Sequence, residues 1–347
     1  MNSKPAFAVD RSVQAVTDAV RAAWWGVAGL AARSVARTGR TVLTGATPTA
    51  EPAPEGFVRR AWSEAFEKDR RDVAEGLFPP AGDAPANPAR AVANFLDLVR
   101  DARTVEERRT RGGAADVRDE ASGGAYPAYY RQNFHYQTGG WFTQESARRY
   151  EAQVEALFSG AAGAMRRRAL SLLAKAWRDR DHRGLLVADI ACGSGAFLRD
   201  LNRTFPRAIL FGVDLSAVYL QEARRVSGVV DQIQARAEHL PIADESLDAV
   251  TCVYLFHELP RKVQPVIAKE LARVLKPGGL LAFADSIQPA DEPRLERLLQ
   301  VFPAYFHEPY YADYAATDIS ALFSEAGLVE RARDQAFLTK AVLFEKA

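Results

Sequence analysis

From Leu185 onward the sequence alternates short apolar runs with amphipathic stretches, and this rhythm restricts the fold more than any other feature. Strands that are each followed by a helix assemble into a parallel sheet covered on both faces. The apolar runs predict strands over 186–191, 208–213, 230–235, 247–255, 279–285, 328–335 and 338–345. Only Ala336 and Phe337 separate the last two, too few residues for a right-handed crossover, so that pair is expected to be antiparallel. The predicted class is α/β, a seven-stranded sheet that ends in an antiparallel hairpin.

The preceding half reads differently. Helical spacing of apolar residues predicts helices over 13–37, 57–77, 89–103, 143–158 and 161–178. Between them, 46–56, 79–88 and 104–125 are rich in proline, glycine or charge and read as connections. An aromatic stretch, 126–142, contains Tyr129, Tyr130, His135, Tyr136 and Trp141. The expected division is a helical, linker-rich accessory region (1–125), an aromatic and helical cap over a substrate (126–183), and a catalytic domain (184–347). The helix over 13–37 carries an uncharged run, 22–32, with Trp24 and Trp25 and a ladder of Arg21, Arg33, Arg37 and Arg40. The run is too short to span a bilayer, which takes roughly 20 apolar residues. The helix would pack on its own protein, join a second copy in a homodimer, or lie on an anionic membrane surface.

Composition narrows the partners. With 45 basic and 44 acidic residues, a formal charge of +1 supplies no field that would favour nucleic acid. The two cysteines, Cys192 and Cys252, lie in apolar runs and imply no disulfide framework, so a cytoplasmic protein is expected, with membrane association through the first helix left open.

The first predicted strand runs through Asp189 and Ala191 into Cys192-Gly193-Ser194-Gly195, a glycine turn that opens a helix. Glycines there let backbone approach a ligand at the carboxyl end of a strand, where open α/β sheets bind their ligands. The second strand ends in Val213-Asp214-Leu215-Ser216, with Asp214 nineteen positions beyond Gly195, where a carboxylate can accept both hydroxyls of a ribose. Ala237-Glu238-His239-Leu240-Pro241 follows the third strand, Ser246-Leu247-Asp248-Ala249-Val250 enters the fourth, and Leu275-Lys276-Pro277-Gly278-Gly279, read as a helix end and turn, precedes the fifth.

Five such motifs in this order resemble the class I S-adenosylmethionine-dependent methyltransferases, within them the group of ubiquinone and menaquinone C-methyltransferases. The resemblance covers about half the chain, from Leu185 to the end, and implies a Rossmann-like sheet with S-adenosyl-L-methionine as cofactor. It implies that Asp189 and Gly193 line the methionine end, Asp214 binds the ribose, Leu215 packs on adenine and the Ala237 amide meets the adenine ring. Ala191, Gly195, Glu238 and Tyr254 complete the expected cofactor site. Two departures stand out: Ala191 replaces a glycine common in relatives, and Arg236 replaces an aspartate. A dinucleotide-dependent dehydrogenase shares the strand, glycine and acid logic, but the third glycine of its turn is missing here.

For the acceptor, Tyr254-Leu255-Phe256-His257-Glu258 follows the fourth strand and Tyr305-Phe306-His307-Glu308-Pro309-Tyr310-Tyr311 lies between the fifth and sixth. His257, His307 and Tyr310 are the candidate catalytic residues, since an imidazole can take a proton near neutral pH. The motifs of nucleic-acid base methylation are absent, and no His/Cys/Asp/Glu spacing suits a metal. An aromatic, mostly uncharged pocket suits a small lipophilic or aromatic acceptor, a quinone, phenol, isoprenoid or lipid, methylated at carbon or oxygen. A protein methyltransferase and a non-catalytic cofactor-binding scaffold are the alternatives.

Overall fold

The computed structural model describes residues 11–36, 48–81, 88–113, 116–118, 126–229 and 231–347. Five helices precede the sheet: α1 (Arg11–Ala36), α2 (Phe57–Ala74), α3 (Pro88–Arg111), α4 (Gln144–Leu157) and α5 (Ala162–Ala176). Strand and helix then alternate through β1 (Leu186–Ile190), α6 (Ala196–Thr204), β2 (Ile209–Asp214), α7 (Ala217–Ser227), β3 (Gln232–Gln234), β4 (Leu247–Val253), α8 (Gln264–Val274) and β5 (Leu275–Ser286). Helices α9 (Glu296–Phe306), α10 (Tyr311–Ala315) and α11 (Ile319–Glu325) lead to β6 (Leu328–Ala336) and β7 (Thr339–Lys346).

The strands form one sheet in the order β3-β2-β1-β4-β5-β7-β6. All pairs are parallel except those made by β7, which runs antiparallel to both β5 and β6. The seven-stranded α/β class and its terminal hairpin are as expected. Central β4 is buried along nearly its whole length, because helices cover both faces, whereas edge strand β6 alternates buried and open positions. Helix α7 starts where the Ser216 hydroxyl accepts the Tyr219 amide at 3.2 Å, and it ends at Gly228 in the left-handed region.

Two boundaries differ from the sequence reading. Residues 104–111, expected as a connection, extend α3, where ion pairs one turn apart (Arg103 with Glu107, Arg109 with Glu106) stabilise a polar helix without an apolar stripe. Lys276-Pro277-Gly278-Gly279 makes a turn, with Gly278 at φ +73°, but it falls inside β5. Leu275 pairs with Leu247 and Leu280 with Ala249, so the chain bulges out and rejoins the same partner strand. The first ten residues, Arg37, Arg40 and parts of the expected connections lie outside the described residues.

Helix α1 packs inward. Trp24 meets Phe95 at 5.9 Å, Ala28 clusters with Leu98 and Ala156, and Arg21 pairs with buried Glu155 at 2.6 Å. Arg21 is therefore directed into the protein rather than toward an anionic surface, and the outer face exposes Val13, Val16, Val20, Val27 and Leu30. Among the described residues, no helix is long and apolar enough to cross a membrane.

Helix α5 carries three consecutive buried arginines against acids of α2, α4 and β6. Arg166 pairs with Glu151, Arg168 reaches Asp72 at 2.8 Å and Asp334 at 3.4 Å, and Arg167 grips Asp69 through two nitrogens, Nε at 2.7 Å. Fork-to-fork geometry makes such a pair strong once formed, and removing one partner strands a buried charge. Asp69→Ala is expected to cost about 3–5 kcal/mol in denaturant unfolding. A loss below about 1 kcal/mol, the ceiling for an exposed pair, would show that this contact does not hold α2 to α5.

Candidate active site

The carboxyl ends of β1, β2 and β4 open onto a cavity of about 140 Å³ walled also by the aromatic segment before α4. Of the residues singled out from sequence, Asp189, Ala191, Gly193, Asp214, Leu215, Ala237, Glu238 and Tyr254 all line it. Gly195 does not. A β-carbon there would come within 2.6 Å of the Ala223 backbone, so its role is to let α6 and α7 approach. Around Gly193, by contrast, a β-carbon would meet open space.

Asp214 ends β2 with its Oδ2 accepting the Gly193 amide at 2.9 Å and its Oδ1 the Ser216 amide at 2.8 Å. Burial pushes its pKa up against the pull of these amides. Each oxygen keeps a lone pair for a further donor, as two ribose hydroxyls require. Asp189 ends β1 with Oδ1 on the Thr251 hydroxyl at 2.6 Å, while Oδ2 is buried without a partner. Burial raises its pKa to about 7, and a bound ammonium would restore the ionised form. Ala191 sits at φ +60°, which explains why glycine is common at this position: the left-handed region costs a β-carbon roughly 1–2 kcal/mol. Tyr254, at the end of β4, is likewise left-handed at φ +59°. Strain at both strand ends aims backbone at the cavity. Across its walls, the Tyr129 hydroxyl donates to Glu238 at 2.6 Å.

Residues 188–283 match the methyltransferase domain family. This chain carries a class I methyltransferase domain. Its cofactor is S-adenosylmethionine, and the orphaned Asp189 oxygen, the open space at Gly193 and the free lone pairs of Asp214 fit that molecule's ammonium, backbone approach and ribose in turn. Over 125 residues, 35% of the chain, the sequence is 35% identical to a fatty-acid O-methyltransferase of Mycolicibacterium smegmatis. It is 39% identical over 106 residues, 30% of the chain, to a ubiquinone/menaquinone biosynthesis C-methyltransferase of Desulfotalea psychrophila. A third relative, phthiotriol/phenolphthiotriol dimycocerosates methyltransferase 1 of Mycobacterium ulcerans, is 33% identical over 111 residues, 31% of the chain. The matches span 45%, 42% and 40% of those relatives, less than half of each.

Beside the methyltransferase domain's cofactor cavity lies a second, of about 270 Å³, between α1, α3, α4 and α9. Its walls are largely apolar, with Ala32, Leu98, Leu157, Leu299 and Phe302 among them, and its polar groups include His135, His257 and Glu308. His257 is thus at a cavity wall, whereas His307 and Tyr310 line neither cavity. Those two are joined through Gln132, whose amide nitrogen donates to the Tyr310 hydroxyl at 2.9 Å and whose carbonyl lies 3.2 Å from His307 Nε2. They brace the aromatic segment against the stretch after α9.

Sequence reading missed the partners of the histidines. His257 Nδ1 lies 2.6 Å from Asp285 Oδ1, and Asp285 Oδ2 accepts the Phe256 amide at 2.8 Å. Burial would lower the imidazole's pKa, but the Asp285 charge and hydrogen bond outweigh it and raise it to about 10. His135 Nε2 pairs with Glu308 at 2.5 Å, which raises its pKa in the same way. The signal available in sequence was an acid at the carboxyl end of a central strand, Asp285.

Two outcomes follow. Asp214→Ala is expected to weaken S-adenosylhomocysteine binding in calorimetry by about 2–3 kcal/mol, roughly 30- to 150-fold, because charge-assisted bonds to two hydroxyls are lost. Undiminished affinity in a folded variant would remove Asp214 from the site. His257 binds its proton more tightly folded than unfolded, where the pKa is about 6.5. Its contribution to stability is therefore full below pH of about 6.5 and fades as pH rises through about 10. His257→Gln should flatten that decline in unfolding free energy, and an unchanged slope would assign it to other groups.

Proposed function

We propose that the chain transfers the methyl group of S-adenosylmethionine to a small lipophilic acceptor held in the second cavity. One observation carries this reading: Tyr150, Val154 and Tyr254 line both cavities, so the donor and acceptor chambers share a wall. Direct methyl transfer needs the two reactants aligned at contact distance, and chambers that share three side chains lie near enough for the reactants to meet where those side chains part. When bound, the cofactor supplies an electrophilic methyl on a sulfonium. The chain's own residues do the rest. Asp189 and Asp214 fix the donor, the rings of Tyr130, Trp141 and Tyr150 exclude water, and His257 presents an N–H toward the acceptor's polar end while Asp285 holds its ring in place.

An apolar chamber built by four helices suits a hydrocarbon tail or a flat ring system, as the names of the relatives suggest for their own substrates. A polypeptide acceptor would need an open groove. Residues of α1 and α3 (Gly29, Ala32, Leu98, Ala102 and Val105) form part of the acceptor wall, so the accessory helices belong to substrate recognition. A cytoplasmic setting fits, with the exposed apolar face of α1 available for a membrane or a second copy.

Val105→Trp should fill the second cavity. Methyl transfer to a panel of alkylphenols, quinols and fatty acids is expected to fall at least tenfold with S-adenosylhomocysteine affinity within about threefold of the parent. Equal turnover by parent and variant would place the acceptor elsewhere, and no transfer by the parent to any member would count against the proposed acceptor class.

A further inference from the structure

The short turn after β4, Phe256–Glu258, sends two ionisable side chains to different chambers, His257 to the acceptor cavity and Glu258 to the cofactor cavity. Only one of them is free to receive a proton. His257 is clamped by Asp285, which holds its imidazole in the protonated form near neutral pH, and His135 is paired with Glu308, where burial would lower its pKa but the Glu308 charge and hydrogen bond raise it. The Glu258 amide donates to the Leu255 carbonyl, while its carboxylate has no hydrogen-bond or ion-pair partner among the described residues. It faces the chamber lined by Tyr130, Tyr150 and Tyr219, beside Tyr254 of the shared wall. We propose, building on the reading above, that Glu258 takes the proton of a neutral phenolic acceptor as the methyl group reaches its oxygen.

The charge distribution supports both the base and the substrate class. Asp285 and Glu308 are balanced by His257 and His135, which leaves Glu258 as the unbalanced anion of the cluster. A carboxylate acceptor would bring a second unbalanced anion beside it and has no proton to give. A phenol brings no charge and carries the proton. In the transfer, the phenol oxygen bonds to the methyl carbon, the carbon–sulfur bond breaks with its electron pair on sulfur, and the O–H proton passes to the Glu258 carboxylate. The sulfonium charge and the Glu258 charge vanish together, so the reacting groups end neutral, which a low-dielectric pocket favours.

Burial holds the Glu258 pKa up, to about 7. His257 and His135 pull it down, and Glu308 and Asp285 push it up. A base poised there is ionised for an appreciable fraction of the protein near neutrality and is strong enough to accept a proton in the transition state.

The test uses the full chain with 4-dodecylphenol and dodecanoate as probes. The parent is expected to methylate the phenol, with a rate that rises through an apparent pKa near 7, and to leave dodecanoate unmodified. Glu258→Gln should lose about 10²–10⁴ of that rate and the pH dependence with it. Calorimetry with S-adenosylhomocysteine should give affinities within about threefold of each other. In protein without cofactor, the protonated-carboxyl infrared signal that titrates near pH 7 should hold Glu258 beside Asp189, and Glu258→Gln should remove the Glu258 share of it while Asp189→Asn leaves that share in place. An unchanged rate in Glu258→Gln, an infrared titration that Glu258→Gln leaves undiminished, or a parent that prefers dodecanoate would each overturn the inference. The preference for one probe and the pH dependence of the parent's own transfer rate decide the matter even if the variant fails to fold. Cofactor binding without transfer to the phenol also overturns it and leaves the methyltransferase reading standing, whereas a parent that binds no cofactor defeats that reading itself.

Discussion

Three carboxylates stand at the carboxyl ends of strands in the middle of the sheet, buried Asp189 on β1, half-buried Asp214 on β2 and buried Asp285 on β5, and the site depends on how each is satisfied. Among the described residues, no lysine or arginine pairs with any of them. Asp214 and Asp285 are held by backbone amides that the turns after β1, β2 and β4 direct at them. Asp189 has a hydroxyl on one oxygen and nothing on the other. An isolated carboxylate in such surroundings is costly, so it either takes up a proton or waits for a cationic ligand. Incomplete satisfaction here is what makes the cavity a binding site rather than core.

The contrast with the opposite face is instructive. There the acids Asp69 and Asp72 are matched by Arg167 and Arg168 in pairs that hold α2 and α5 together and are closed to any ligand. The same residue types do structural service where the fork of an arginine meets them and chemical service where amides, a hydroxyl or an imidazole do. Helix α5 links the two regimes, since Arg166 on its next position lines the cofactor chamber while pairing with Glu151.

The strand rhythm and the motifs at strand ends were legible in sequence because both are local. Asp189, Gly193, Asp214 and Tyr254 could be placed from chain order alone. Gly195 could not be separated from Gly193, since one glycine serves helix packing and the other an open cavity, a distinction that exists only in three dimensions. The Asp285 and Glu308 partnerships were hidden for the same reason: each joins segments far apart in sequence, 28 positions between His257 and Asp285. His307 and Tyr310 carried the right chemistry in the right loop, yet their side chains meet Gln132 behind the chamber wall. The acceptor chamber was the least legible element, because its walls come from four helices whose apolar faces read as ordinary packing.

A shared wall between donor and acceptor chambers is the centre of this account, and a crystal structure with S-adenosylhomocysteine and 4-dodecylphenol tests it most directly. The expected result is the thioether sulfur on the Asp189 and Gly193 side of Tyr254, the alkyl tail among Leu98, Leu299 and Phe302, and the phenol oxygen close enough to sulfur for a methyl to pass between them. A tail lying on the outer face of α1, or a phenol separated from the sulfur by an intact wall of Tyr150, Val154 and Tyr254, would contradict it.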